Sequence, residues 1–176
     1  MKKQTSSDHQ SSGISEEDSV KVIIETPKGS RNKFKYDPDL RMFKLSKVLP
    51  EGMVFPYDFG FVPSTKGEDG DPVDVLVLMD EPTFPGCLLE CRLVGVLEAD
   101  QEEKKKRKKN PRLIAVAKQS LLYSEVASLA DINPTVLRQV EAFFVNYQKV
   151  RDIKFTIVAR RGPDRALEIL RGASPG

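Results

Sequence analysis

Between residues 50 and 86 the chain sets a glycine or proline at Pro50, Gly52, Pro56, Gly60, Pro63, Gly67, Gly70, Pro72, Pro82, Pro85 and Gly86. Each proline removes a backbone donor and fixes φ, and each glycine favours turns, so no helix runs through this stretch. Only short strands fit between such breaks. β-branched and apolar runs at residues 20–25, 34–36, 42–45, 73–79, 87–97, 112–118 and 155–159 read as those strands. Short strands joined by dense turns predict a small closed or Greek-key barrel.

Two helices flank it. Asn133 is a natural N-cap and Pro134 suits the first helical position. Val136, Leu137, Val140, Phe143, Phe144 and Tyr147 then form one apolar stripe at helical spacing. A shorter helix starts at Pro163, turns Ala166, Leu167, Ile169 and Leu170 inward, and closes at Gly172. Residues 1–19 read as a disordered, polar N-terminal tail, and residues 20–172 as a single domain. Residues 104–109 are six consecutive cations, so residues 101–110 read as an exposed basic loop inserted in that domain.

The remaining composition excludes more than it suggests. The sole histidine is His9, in the polar tail, so imidazole is removed from any acid–base or metal-binding role in the core. Cys87 and Cys91 are the only cysteines, too few for a disulfide framework or a four-cysteine zinc site, and their spacing reads as core packing. The net charge of +2 gives no argument for a nucleic-acid or membrane partner. No apolar run approaches the roughly 18 residues of a membrane helix, and the N-terminus lacks the apolar stretch of a secretory signal. A cytoplasmic protein is expected.

Chemistry concentrates in Glu68-Asp69-Gly70-Asp71-Pro72-Val73-Asp74-Val75, which packs three aspartates into six positions at the mouth of an apolar strand. Carboxylates that close repel one another unless cations neutralise them. Oxygen-only ligands favour hard ions such as Mg²⁺ or Mn²⁺ over zinc. Asp and Gly are also ordinary turn residues, but Asp74 lies inside the apolar run and is expected to face a pocket.

The segment Asp69-Gly70-Asp71-Pro72-Val73-Asp74-Val75 resembles, at every position, the signature of the family I soluble inorganic pyrophosphatases. Supporting pieces, in the family's order, are Val22-Ile23-Ile24-Glu25-Thr26-Pro27, Lys35-Tyr36, Phe55-Pro56-Tyr57-Asp58-Phe59-Gly60-Phe61, Val94-Gly95-Val96 and Phe143-Phe144 before Tyr147. The resemblance implies a mainly β fold, an OB-like five-stranded barrel with flanking helices. It implies Mg²⁺-dependent hydrolysis of inorganic pyrophosphate to two phosphates by a homo-oligomer, commonly a hexamer. Divalent ions held by Asp69, Asp74 and Asp100 would lower the pKa of a nearby water, and Asp71 would take its proton. Lys35, Lys47, Arg112 and Tyr147 would bind the phosphoryl oxygens, and Glu25 would orient Lys35 or a water on the metal.

The chain also departs from that pattern. Lys47 stands for the usual arginine, Phe55 and Phe59 for tyrosines, Gln148 for a lysine, and Arg112 for a lysine. Asn110-Pro111 occupies the place of a metal-bridging carboxylate, for which Glu102 or Glu103 is the nearest substitute. These changes leave an alternative, a catalytically impaired relative that binds phosphate-bearing ligands. A third reading, an oligonucleotide-binding barrel, is opposed by the absence of Trp and of aromatic residues interleaved with the basic run.

Overall fold

The computed structural model describes residues 19–173. The tail expectation therefore lies outside the described residues, except for Ser19, which opens the first strand. Nine strands and two helices follow: β1 Ser19–Thr26, β2 Asn32–Asp37, β3 Met42–Val48, β4 Asp58–Phe61, β5 Asp74–Leu78, β6 Leu88–Glu103, β7 Lys106–Lys109, β8 Arg112–Ala117, α1 Pro134–Lys149, β9 Lys154–Arg161 and α2 Pro163–Gly172.

Strands β1, β4, β5, β8 and β6 pair in that order, and β6 pairs back onto β1, closing a five-stranded ring. This is the OB-like barrel that the sequence implied. Closure depends on β6, which is 16 residues long. Its first half pairs with β1 and β8, and its second half leaves the ring to pair with β9 and β7. The β2–β3 hairpin forms a separate two-stranded sheet.

Strands β5 and β8 are parallel and apolar on both faces, as expected for strands covered from two sides. Val75, Val77, Leu113, Ala115 and Cys91 join one core, to which α2 contributes Ala166. Leu76, Leu78, Ile114 and Val116 join the other, which α1 covers with Leu137, Val140, Phe144 and Tyr147. Cys91 is core as expected, its thiol pushed up to about 12 by burial, and Cys87 packs beside it at the edge. The N-cap also holds: the Asn133 side chain accepts from the Thr135 backbone N–H at 2.8 Å.

Two elements differ from the sequence reading. Residues 58–61 form β4, a strand that the β-branched and apolar runs of the sequence do not mark. Residues 101–110 are a two-stranded hairpin rather than a loop, with Lys104 and Lys105 at its turn. Its exposure is as expected, but cross-strand carboxylates at Glu102 and Glu103 offset the cations opposite them.

Candidate active site

The loop from β4 to β5 carries the aspartates, and local hydrogen bonds define its path. Thr65 donates to the Val62 carbonyl (2.7 Å) and accepts from Val73 N–H (3.1 Å), while Gly67 N–H donates to the Asp71 carbonyl (2.8 Å). Gly70 sits between Asp69 and Asp71 at φ 89°, a left-handed conformation that a side chain would strain. The Asp69 carboxylate accepts from Asp71 N–H at 3.2 Å. Asp69 and Asp74 are thereby turned inward and half-buried, while Asp71 stays exposed at the rim.

Parallel pairing of β5 with β8 sets Asp74 beside Arg112, since Val75 registers with Leu113. The two make an ion pair of 2.8 Å, with the Arg112 side chain 4% exposed. The guanidinium lies over the Phe144 and Phe155 rings at 5.5 and 5.3 Å. It also donates to the Asn110 side-chain oxygen. Among the described residues, however, its Nε meets no hydrogen-bond partner, and neither does the buried Tyr147 hydroxyl. Burial pushes that phenol up to about 12 against the pull of Arg151 and Arg112. Buried polar atoms without partners are rare, because each forfeits a hydrogen bond to water.

These residues line a cavity of about 960 Å³, whose wall includes Glu25, Lys33, Lys35, Lys47, Asp69, Asp71, Asp74, Gln101, Asn110, Arg112, Tyr147 and Arg151. Of the ten residues singled out from the sequence, nine share this wall. Lys35 pairs with Asp71 at 3.1 Å; burial opposes its charge, but Asp71, Glu25 and Asp74 together outweigh that and raise its pKa. Lys47 is lowered by burial and by Arg151, Lys33 and Lys35. Glu25, raised chiefly by burial, accepts from Tyr36 N–H at 2.8 Å.

Asp100 is the exception. It pairs with Arg107 and lines a second cavity of about 490 Å³, whose wall shares Asp69, Pro72, Asp74 and Asn110 with the first, so Asp69, Asp74 and Asp100 meet there. The next residue, Gln101, takes the position in the main cavity, where it accepts from the Asn110 amide at 2.6 Å. Alternate strand residues face opposite sides, and the register shift between Glu98 and Ala99 hides from the sequence which side each takes.

Lys33 and Arg151 were also missed. Lys33 stands directly opposite Lys47 across the β2–β3 hairpin, where like charges repel. It lies over the Phe55 and Phe59 rings at 5.4 and 4.7 Å, which accounts for two apolar rings beside a cation. Burial lowers its pKa although Asp74 and Glu25 favour its charge. Its signal was available as the alternation Lys33-Phe34-Lys35.

The donor set is all oxygen, as a hard cation requires. Burial and the neighbouring Asp74 and Asp71 raise Asp69, so the turn carries negative potential that a divalent ion would relieve. Among the described residues, however, no three His, Cys, Asp or Glu side chains converge as a ligand set. Lys35 holds Asp71, Arg112 holds Asp74 and Arg107 holds Asp100 instead.

Comparison with known proteins identifies the family. A family model described as inorganic pyrophosphatase matches residues 22–174. An inorganic pyrophosphatase of Methanosarcina acetivorans is 37% identical over 152 residues, 86% of this chain and 88% of the relative. One from Nostoc is 40% identical over 135 residues, covering 74% and 75%. The crystal structure of the Thermus thermophilus inorganic pyrophosphatase superposes with a TM-score of 0.82 at 35% identity, covering 90% of this chain and 91% of that one. With the aspartate turn, the barrel and the match over most of its length in agreement, the chain belongs to the inorganic pyrophosphatase family.

Proposed function

We propose that the main cavity hydrolyses the phosphoric anhydride of inorganic pyrophosphate, releasing two phosphates. The observation that carries this reading is the convergence of Lys33, Lys35, Lys47, Arg112 and Arg151 on one cavity that also holds the unpartnered Arg112 Nε and Tyr147 hydroxyl. So many cations on one wall call for a multiply charged anion, and the two orphaned donors suit its oxygens. Lys35, Lys47 and Arg112, joined by Lys33 and Arg151, hold the phosphoryl oxygens and stabilise charge spreading over them during displacement. Tyr147 donates from the α1 side. Asp71, at the open rim, accepts the proton of the attacking water, a task that no histidine among the described residues shares.

Members of this family are metal-dependent. Magnesium, or manganese in its place, would be held by Asp69, Asp74 and Asp100, which share the wall of the second cavity. When bound it supplies charge neutralisation and makes nearby water more acidic. Glu25 orients the β2 strand through Tyr36 and so positions Lys33 and Lys35. Assembly as a homo-hexamer and a cytoplasmic location belong to this reading. Among the described residues no helix is long and apolar enough to cross a membrane.

A second reading has its own support. The Gln101–Asn110 amide pair occupies the wall with two neutral groups, which weakens the site's hold on metal. The protein would then be a catalytically impaired relative that binds phosphate-bearing ligands. Phosphate release from pyrophosphate, measured with Mg²⁺ and with EDTA, separates the two. Metal-dependent release supports hydrolysis, and binding without release supports the second reading.

A further inference from the structure

The hairpin of β6 and β7 sorts its charges by face. Asp100 and Glu102 stand opposite Lys109 and Arg107, so that face is balanced, and Arg107 pairs with Asp100. On the other face Gln101 and Glu103 stand opposite Lys108 and Lys106, leaving a surplus of cations. Among the described residues the ammonium groups of Lys104, Lys106 and Lys108 make no ion pair. These three lysines, with Gln101 and Glu103, line a cleft of about 250 Å³. Gln101, Glu103 and Lys108 also line the main cavity, so the cleft adjoins it.

The hairpin holds these charges at some cost. Lys104 and Lys105 have φ of 50° and 66°, the left-handed region where lysine is strained and Asn-Gly would be easy. Consecutive ammonium groups at the turn also repel one another. Neither feature serves a two-phosphate ligand confined to the main cavity.

We propose that this face of the hairpin is a subsite for linear inorganic polyphosphate, holding the third and later phosphates of a chain whose end lies in the main cavity. It rests on the pyrophosphatase reading of that cavity. Lys108 bridges the two compartments, and Lys106 and Lys104 continue the cationic row outward along the same cleft. A polyphosphate carries negative charge at every unit and has no bases to stack, which matches a lysine row without aromatic partners.

The test is calorimetric titration of the whole protein with pyrophosphate and with tripolyphosphate, both in EDTA, so that turnover plays no part. The parent should bind tripolyphosphate roughly tenfold more tightly than pyrophosphate, the effect of two partly solvated charge contacts. The double variant Lys104→Gln/Lys106→Gln should lose that preference while binding pyrophosphate as the parent does. Glu103→Gln, which removes the carboxylate from this face, should strengthen tripolyphosphate binding. The proposal is overturned by a parent with no preference, by a double variant that keeps it, or by equal losses for both ligands. It is likewise overturned if the double variant weakens a single-stranded oligonucleotide more than tripolyphosphate. Failure of the pyrophosphatase reading shows separately, as a parent that releases no phosphate from pyrophosphate with Mg²⁺.

Discussion

Asp71 and Asn110 show how differently one wall of a cavity treats its polar side chains. The Asp71 carboxylate is exposed and, among the described residues, paired with Lys35 alone, so its replacement leaves no buried group unsatisfied. Asp71→Asn should therefore cut turnover by about 10² or more with the melting temperature unchanged, the loss expected of a positioned general base. Near-parent turnover would remove Asp71 from that role. Asn110 is buried, donates to Gln101 and accepts from Arg112. Asn110→Asp adds a negative charge beside Asp69 and Asp74, and should tighten Mg²⁺ binding by about 1–2 kcal/mol at this partly solvated site. That is roughly a tenfold change in Kd, readable by calorimetry independently of rate. Pro111→Asp, whose side chain would sit on the second cavity's wall, is the parallel control. An unchanged Kd in Asn110→Asp would show that this residue lies beyond the metal's reach.

At the scale of elements, the close crossing of β1 and β4 turns on Gly60. A Cβ there would lie 2.1 Å from the Ile23 carbonyl oxygen, a backbone atom that cannot rotate away. Gly60→Ala should destabilise the fold by about 3 kcal/mol, at the upper end for an overpacked site. Chemical denaturation with an unchanged m-value would check it. The connection between β8 and α1 depends on two carboxylates. Asp80 is held low by the Ser120 hydroxyl and then by Leu121 N–H, and Asp131 by the backbone N–H groups of Ser128 and Ala127. A carboxyl whose folded pKa is depressed contributes stability above its unfolded value, and loses it as pH falls through the folded one. Thermal stability should therefore decline as pH drops below about 3.8, the unperturbed aspartate value. Asp80→Asn and Asp131→Asn should each flatten that decline, and parallel curves for parent and variants would contradict the assignment.

For the whole molecule, β6 joins everything that matters. It closes the barrel onto β1, supports α2 and β9, and carries Gln101 into the cavity before turning into the basic hairpin. Leu121 and Leu122 are 82% and 75% exposed on the single chain. Burial of such residues between copies would favour association, consistent with the expected homo-hexamer. Light scattering should return a mass near six chains, and a monomer's mass would reject that assembly.

Much of this was legible in the chain itself. Turn residues between short β-branched runs specified strands without helices, and Asn133-Pro134 with its apolar stripe specified α1, because these signals are local and periodic. Asp69, Asp71 and Asp74 were legible because their spacing sets them together before any folding. What the sequence left open were positions whose role depends on parity and register. Lys33 and Gln101 face the cavity, and Asp100 leaves it, because strand alternation, a β-bulge and the pairing of β6 with β9 decide which way each side chain points. The basic run was read as a repelling loop, since the carboxylates that balance half of it lie across a strand pair. Local chemistry is written residue by residue, whereas convergence of Arg112, Asp74 and Tyr147 on one cavity exists only after β5, β8 and α1 have packed.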